Sequence, residues 1–166
     1  MADVLIALGG NVGDVRTTFA RAIPLIVTRS NGTLVARSSD YETPPWGDTA
    51  QSPFVNACIR LSTSVQPHAL LAILHEVEAK FGRDRSHERR WGPRPLDLDL
   101  LAYDDLATAG DDLMLPHPRL FERAFVLVPL AEIAPDRNIA GRTPARVLKT
   151  LSSAGIRRLP HMSSDV

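Results

Sequence analysis

Asp97 and Asp99 sit in the run Leu96-Asp97-Leu98-Asp99-Leu100, where polar and apolar residues alternate strictly. That period predicts a β-strand with both carboxylates on one face, about 6–7 Å apart at their Cα atoms. The apolar neighbours Leu96, Leu98, Leu100 and Leu101 predict a largely buried strand. Two carboxylates this close repel, and a cation or a proton must offset the repulsion. Nearby arginines would serve, and so would a hard divalent ion such as Mg²⁺, which takes one or two carboxylates plus phosphate oxygens. The same spacing equally fits the wet side of a half-exposed strand.

The basic residues are placed to answer that charge. Arg83, Arg85, Arg89, Arg90 and Arg94 fall within twelve positions, balanced only by Asp84 and Glu88, and they flank Trp91-Gly92-Pro93. Guanidinium forks match phosphate oxygens bidentately, so this segment beside an acid-bound cation suits a polyphosphate. The plainer alternative is a solvated charged loop, against which Trp91 weighs, since a Trp there packs on something, a ligand included. Gly9-Gly10-Asn11-Val12-Gly13-Asp14 lacks the Lys-Ser/Thr end of a P-loop, and Leu8 stands where a dinucleotide fingerprint has its first glycine. Asp14 already occupies the positive end of the following helix. These glycines therefore read as a tight turn or a loop near a site. Thr43-Pro44-Pro45-Trp46-Gly47 is stiff and extended. With Asn56 and the rings of Phe54 and Phe125 it forms a slot for a flat heteroaromatic, or else merely a rigid strand exit. His117, between two prolines, is a loop residue or a phosphate ligand. His68, His75 and His87 have no metal-ligand spacing, and Glu78 on the second helix faces either the site or solvent.

The elements that carry these residues follow from hydrophobic period and punctuation. Residues 4–8 read as a strand stopped by Gly9-Gly10, and 15–28 as a helix that Pro24 kinks or breaks and Gly32 ends. Strands follow over 34–41 and 54–61, a helix from Pro67 to Gly82, and the aspartate strand. The order β-α-β-β-α-β predicts an α+β, ferredoxin-like antiparallel sheet with both helices on one face. Residues 125–133 and 143–151 add helices, the second capped by Thr143 with Pro144 in its first position. Residues 160–166 read as a loose tail. The 166 residues suit one domain, and 44% hydrophobic with 23% charged residues excludes wholesale disorder. Nineteen Lys+Arg balance nineteen Asp+Glu, which disfavours a surface that grips nucleic acid or anionic lipid throughout. One cysteine, Cys58, excludes a disulfide framework, and no stretch at the start of the chain is apolar for long enough to be a signal or a membrane span. A cytoplasmic protein is expected.

Taken in order, several blocks resemble one family. They are Ala7-Leu8-Gly9-Gly10-Asn11-Val12-Gly13-Asp14, Tyr41-Glu42-Thr43-Pro44-Pro45-Trp46-Gly47, Phe54-Val55-Asn56-Ala57, Arg90-Trp91-Gly92-Pro93-Arg94-Pro95-Leu96-Asp97-Leu98-Asp99 and Leu115-Pro116-His117-Pro118-Arg119. Gly82-Arg83, Phe121-Glu122-Arg123-Ala124-Phe125-Val126-Leu127 and Pro129-Leu130-Ala131-Glu132-Ile133-Ala134-Pro135 complete the match. The chain resembles the 6-hydroxymethyl-7,8-dihydropterin pyrophosphokinases of folate biosynthesis. The resemblance implies transfer of pyrophosphate from ATP to the pterin hydroxymethyl oxygen, with two Mg²⁺ ions held by Asp97 and Asp99. Arg83 and Arg94 match the family's catalytic arginines. Glu78, Arg85, Arg90, Leu100, His117 and Arg123 match the nucleotide side. Thr43, Pro44, Pro45, Trp46, Phe54, Asn56, Trp91 and Phe125 match the pterin side. ATP and the dihydropterin are the implied partners of a monomer, without nucleic acid or membrane. The chain departs from the family pattern in that Gly10 replaces a serine, His75 stands where some members have glutamine, and the stretch Arg85 to Arg90 is one residue longer, so either Arg89 or Arg90 takes the family position. Alternatives that share the element order are an RNA-binding module and an inactive structural relative; the low aromatic content, 5%, and the intact acids and arginines disfavour them.

Overall fold

The computed structural model describes residues 1–45, 50–84, 86 and 93–162. The first strand, β1 (Ala2–Gly10), turns Val4, Ile6 and Leu8 to one face of the sheet and Leu5 and Ala7 to the other. It does not stop at Leu8. Gly9 and Gly10 continue the ladder opposite Asn56 and Val55. Close approach, not turning, is what demands glycine here: a Cβ on Gly10 would lie 2.7 Å from the Pro95 carbonyl oxygen.

Asp14 then caps α1 (Val15–Arg29), accepting the Thr17 N–H at 3.2 Å. Val15, Phe19, Ala22, Ile23 and Ile26 form its buried stripe. Pro24 does not end the helix, because Pro24 and Ala20, whose carbonyl it deprives of a partner, both lie on the solvent side. The left-handed residue that closes the turn is Asn31, with φ of 48°. Gly32 is needed for space, since a Cβ there would meet the Ser62 carbonyl oxygen at 2.8 Å.

Where the pattern predicts one strand over residues 34–41, the backbone forms two, β2 (Thr33–Arg37) and β3 (Tyr41–Thr43), both antiparallel to β4 (Phe54–Thr63). Ser38 interrupts them by satisfying Cys58 twice: its N–H donates to the Cys58 carbonyl, and its Oγ accepts the Cys58 N–H, each at 2.9 Å. Buried Asp40 completes the break by holding Arg16 and Arg37, each at 2.9 Å.

Helix α2 (Pro67–Lys80) and strand β5 (Asp97–Tyr103) complete the antiparallel sheet, in the order β5-β1-β4-β3. Helices α1 and α2 bury Val4, Ile6, Leu8, Ile59, Leu61, Leu98 and Leu100 against one face, giving the expected ferredoxin-like α+β core. A register shift opposite Leu5 and Ile6 leaves Leu101 unmatched on β1 and turns it to the second face. There it packs with Leu5, Cys58, Leu127 and Leu130 of α3 (Ala124–Ile133). The hairpin of β6 (Thr108–Ala109) and β7 (Met114–Leu115) precedes α3. Thr143 caps α4 (Pro144–Leu148), which ends short of the expected residue 151.

The last element is β8 (Arg157–Arg158), added to the outer edge of β3. Two arginines carry no hydrophobic period, so this strand leaves no sequence signal. The chain stays tied beyond it, with the Leu159 N–H on the Asp40 carbonyl at 2.9 Å and Arg16 Nη2 on the Pro160 carbonyl at 2.5 Å. Residues 163–166 of the expected tail lie outside the described residues. No helix among the described residues is long and apolar enough to cross a membrane. As a test of the close packing at the end of β1, Gly10→Ala should destabilise the fold by about 1–3 kcal/mol in equilibrium urea unfolding. A midpoint equal to that of the parent chain would show that Pro95 yields freely.

Candidate functional site

The register of the sheet lays out the site. Asn56, Gly9 and Asp97 are cross-strand partners in one row, and Cys58, Ala7 and Asp99 in the next, all on the face opposite α1 and α2. Strands are spaced about 4.8 Å apart, so Asn56 and Asp97 stand about 10 Å from each other across a residue with no side chain. Gly9 and Ala7 are therefore the floor of a cavity. Gly9 has no room for more, since a Cβ there would come within 3.1 Å of Asn56 Oδ1. Helices α3 and α4 cover the other end of this face, and the start of α3 brings Arg123, Phe125 and Val126 over this one. Thr43 and Phe54 form the side wall.

One half of the cavity is apolar and fixed in orientation. Phe54 and Phe125 line it, and the Asn56 amide is held by donating to the buried Thr43 hydroxyl at 3.0 Å. The other half is charged. Arg83 is almost wholly buried and pairs with both Glu78 and Asp97, reaching Asp97 Oδ1 at 2.6 Å. Arg94 Nη1 approaches the other Asp97 oxygen at 3.5 Å. Glu78 is itself buried and also accepts the Leu98 N–H at 2.9 Å, which anchors α2 to β5 beneath the acids. Asn11 ties the walls together. It accepts the Arg94 N–H at 2.8 Å, and its amide donates to Gln51 at 2.8 Å and to the Ser52 carbonyl at 3.1 Å.

Asp99 is the exception in this network, taking no ion pair from any described residue. Burial first, and the neighbouring Asp97 and Glu78 charges next, push its carboxyl up to about 7, against the pull of Arg123 and Arg83. A proton or a cation is what this position calls for. Among the described residues no three His, Cys, Asp or Glu side chains gather into a metal cage. Two carboxylates in an open cavity instead fit a hard cation whose remaining ligands come from phosphate and water. Burial first, then Arg123 and Arg119, lower the His117 imidazole from its ordinary range, against the pull of Asp97. Its Nδ1 accepts the Arg119 N–H at 3.1 Å, so Nε2–H is left as a donor. Its own N–H rests on the Leu101 carbonyl at 2.8 Å.

Of the residues singled out from sequence, Thr43, Phe54, Asn56, Arg94, Asp97, Asp99, Arg123 and Phe125 line this one cavity. Arg83 backs Asp97, and Glu78 acts through Arg83 rather than at the cavity wall. Leu100 does not face the site: alternation along β5 sends it with Leu98 into the α1/α2 core, opposite to Asp97 and Asp99. Pro44 and Pro45 line an adjoining cavity that shares Thr43 and Phe125. Trp46, Arg85, Arg89, Arg90 and Trp91 lie outside the described residues. The floor residues Ala7 and Gly9 and the Asn11 clamp were not among the expected site residues, although a glycine ending an apolar strand is a signal for close approach.

Comparison with known proteins shows what the chain is similar to. Residues 5–135 match the family model described as 7,8-dihydro-6-hydroxymethylpterin-pyrophosphokinase. A 2-amino-4-hydroxy-6-hydroxymethyldihydropteridine pyrophosphokinase of Methylorubrum extorquens is 46% identical over 159 residues, spanning 96% of this chain and 99% of its own. The protein of that name from Bacillus subtilis is 43% identical over 128 residues, 77% of this chain and 75% of its own. Among solved structures, a Plasmodium falciparum HPPK-DHPS chain superposes with a TM-score of 0.70 at 12% identity. This chain is covered to 90% and spans 45% of that longer one, a likeness of fold alone.

The raised Asp99 carboxyl has a consequence for stability. Between its ordinary value of 3.8 and about 7 the folded chain holds a proton that the unfolded chain has released. Its contribution to the stability of the metal-free protein is therefore complete below about pH 4 and is lost as pH rises through about 7. Urea unfolding with chelator at acidic and mildly alkaline pH should show this loss in the parent protein and not in Asp99→Asn. An identical pH slope in both proteins would assign the loss to another group.

Proposed function

The chain belongs to the 7,8-dihydro-6-hydroxymethylpterin-pyrophosphokinase family, and on that footing we propose that the cavity between Asn56 and Asp97 is where it transfers pyrophosphate from ATP to 6-hydroxymethyl-7,8-dihydropterin in folate biosynthesis. The observation that carries the assignment is the meeting of two chemistries in one cavity: an aromatic slot with an oriented amide, and a carboxylate pair bracketed by arginines. The pterin ring lies between Phe54 and Phe125, with Asn56 hydrogen-bonding its edge and Thr43, Pro44, Pro45 and Trp46 forming the loop beside it. The triphosphate lies over Asp97 and Asp99, met by Arg83, Arg85, Arg90, Arg94 and Arg123 and by the Nε2–H of His117. Trp91 completes the pterin side.

In the transfer, the hydroxymethyl oxygen of the pterin forms a bond to the β-phosphorus of ATP and releases its proton to water. The bond from that phosphorus to the bridging oxygen of the α-phosphate breaks, and AMP leaves with the electron pair. Two Mg²⁺ ions at Asp97 and Asp99 supply charge neutralisation on the phosphate oxygens when bound. The protein's own part is positioning and electrostatics. Asp97 holds Arg94 at the cavity wall, with Arg83 buried behind it, so both guanidinium groups are fixed before phosphate enters. His117, whose Nδ1 is occupied by the Arg119 N–H, offers its Nε2–H to the phosphate. We take the chain to act as a single domain and a monomer in the cytoplasm.

Incubation with ATP, Mg²⁺ and the dihydropterin should release AMP, followed by chromatography; ADP as product would refute attack at the β-phosphorus. Asp97→Ala and Asp99→Ala should each lower turnover by orders of magnitude. Rates near the parent value in both would remove the acids from the mechanism. Arg83→Ala is a poorer probe, because it strands Glu78 and Asp97 without their buried partner and costs about 3–5 kcal/mol of stability.

A further inference from the structure

The family model ends at residue 135, so α4, β8 and the turn that joins them lie beyond it. That turn nevertheless reaches the substrate loop. Gly155 adopts φ of +83°, and a Cβ built on it would stand 3.1 Å from Pro44 Cγ and 3.3 Å from Pro44 Cδ. Ser152, Ala154 and Ile156 share a cavity with Thr43, Pro44, Pro45 and Phe125, and neither acid lines it. Immediately after the turn, β8 pairs with β3, Glu42 opposite Arg157 and Tyr41 opposite Arg158. The three-residue strand that ends at Thr43 is thus held by β4 on one edge and by the C-terminal segment on the other.

We propose that Gly155 is a positioning residue for the heterocyclic substrate: its turn is the backstop that sets how far Pro44, and with it Thr43, stands from Phe125 and Asn56. The chain of contact is short. Gly155 meets the Pro44 ring, Pro44 follows Thr43 directly, and the Thr43 hydroxyl fixes the Asn56 amide at 3.0 Å. A side chain at position 155 pushes the loop toward the slot, or the turn away from the loop, and either shift disturbs the pterin half of the cavity. The acid half hangs on β5 and α2, away from this path. The inference rests on the pterin assignment of that slot.

Gly141 supplies a matched control. It has the same φ of +83°, lies in the same C-terminal region, and has nothing within 4 Å of a built Cβ. Gly155→Ala and Gly141→Ala therefore carry equal backbone strain, and only the first presses on Pro44. Steady-state AMP formation should show the KM for the dihydropterin rising by about three- to tenfold in Gly155→Ala, with the KM for ATP and kcat within about twofold. Gly141→Ala should leave both KM values at the parent level. The inference is overturned if the two variants behave alike, or if the ATP KM rises as much as the pterin KM. A double-mutant cycle with Pro44→Ala, read by binding of 6-hydroxymethylpterin, gives an independent check. Trimming the proline ring should shrink the cost of Ala at position 155, and additive effects would overturn the contact. A parent protein that forms no AMP at all would instead defeat the pterin assignment itself.

Discussion

Two carboxylates on adjacent same-side positions of a half-buried strand set the terms for everything around them. Like charges at this spacing cannot both stand unneutralised where water is scarce. The two are answered differently. Asp97 is satisfied from within, by a buried Arg83 that also pairs with Glu78 and by Arg94. Asp99 is left to a proton or to a cation brought from outside. A buried ion network of this kind is weak evidence for stability, since desolvation offsets much of the Coulombic gain. Its value lies in geometry: the shared pairs fix Arg83 and Arg94 relative to the Asp97 carboxylate.

The rest of the fold makes that arrangement accessible. One helical layer buries the α1/α2 face completely, which frees the opposite face to be covered only in part. The Leu101 bulge turns β5 into the α3 core just past Asp99, and the Leu101 carbonyl anchors His117. Covered and open regions of one sheet face therefore meet at the acids. The aromatic slot and the charged half share a floor of Gly9 and Ala7, because any larger residue there would fill the space between Asn56 and Asp97.

Much of this was legible in one dimension because the relevant periods are short. Alternation at positions 96–100 places both acids on one face, and a proline at one end and a glycine at the other bound the α2 helix. Asp14, Pro67 and Thr143 marked helix starts by local chemistry, each within a turn of its helix. The same locality explains the misses. Pro24 reads as a kink or a break because sequence does not say which side of the helix meets water. Gly9-Gly10 reads as a turn or a loop near a site because glycine signals both turning and crowding, and only the presence of Asn56 and Pro95 nearby distinguishes them.

The sequence by itself determined the chemistry on offer: the acid pair, the arginines, the aromatic rings and the order of elements that carries them. These depend on residue type and on spacings of two to four positions, which the backbone converts directly into faces and caps. Only the tertiary structure decided which of them share a space. It withdrew Leu100 into the core, made Glu78 a buried support for Arg83, and brought residues near 9, 43, 56, 97, 117 and 123 together. It also folded a segment beyond the family's common core against the Pro44 loop. The reason is strand register and helix packing, which couple positions far apart in the chain and leave no periodic trace in either partner.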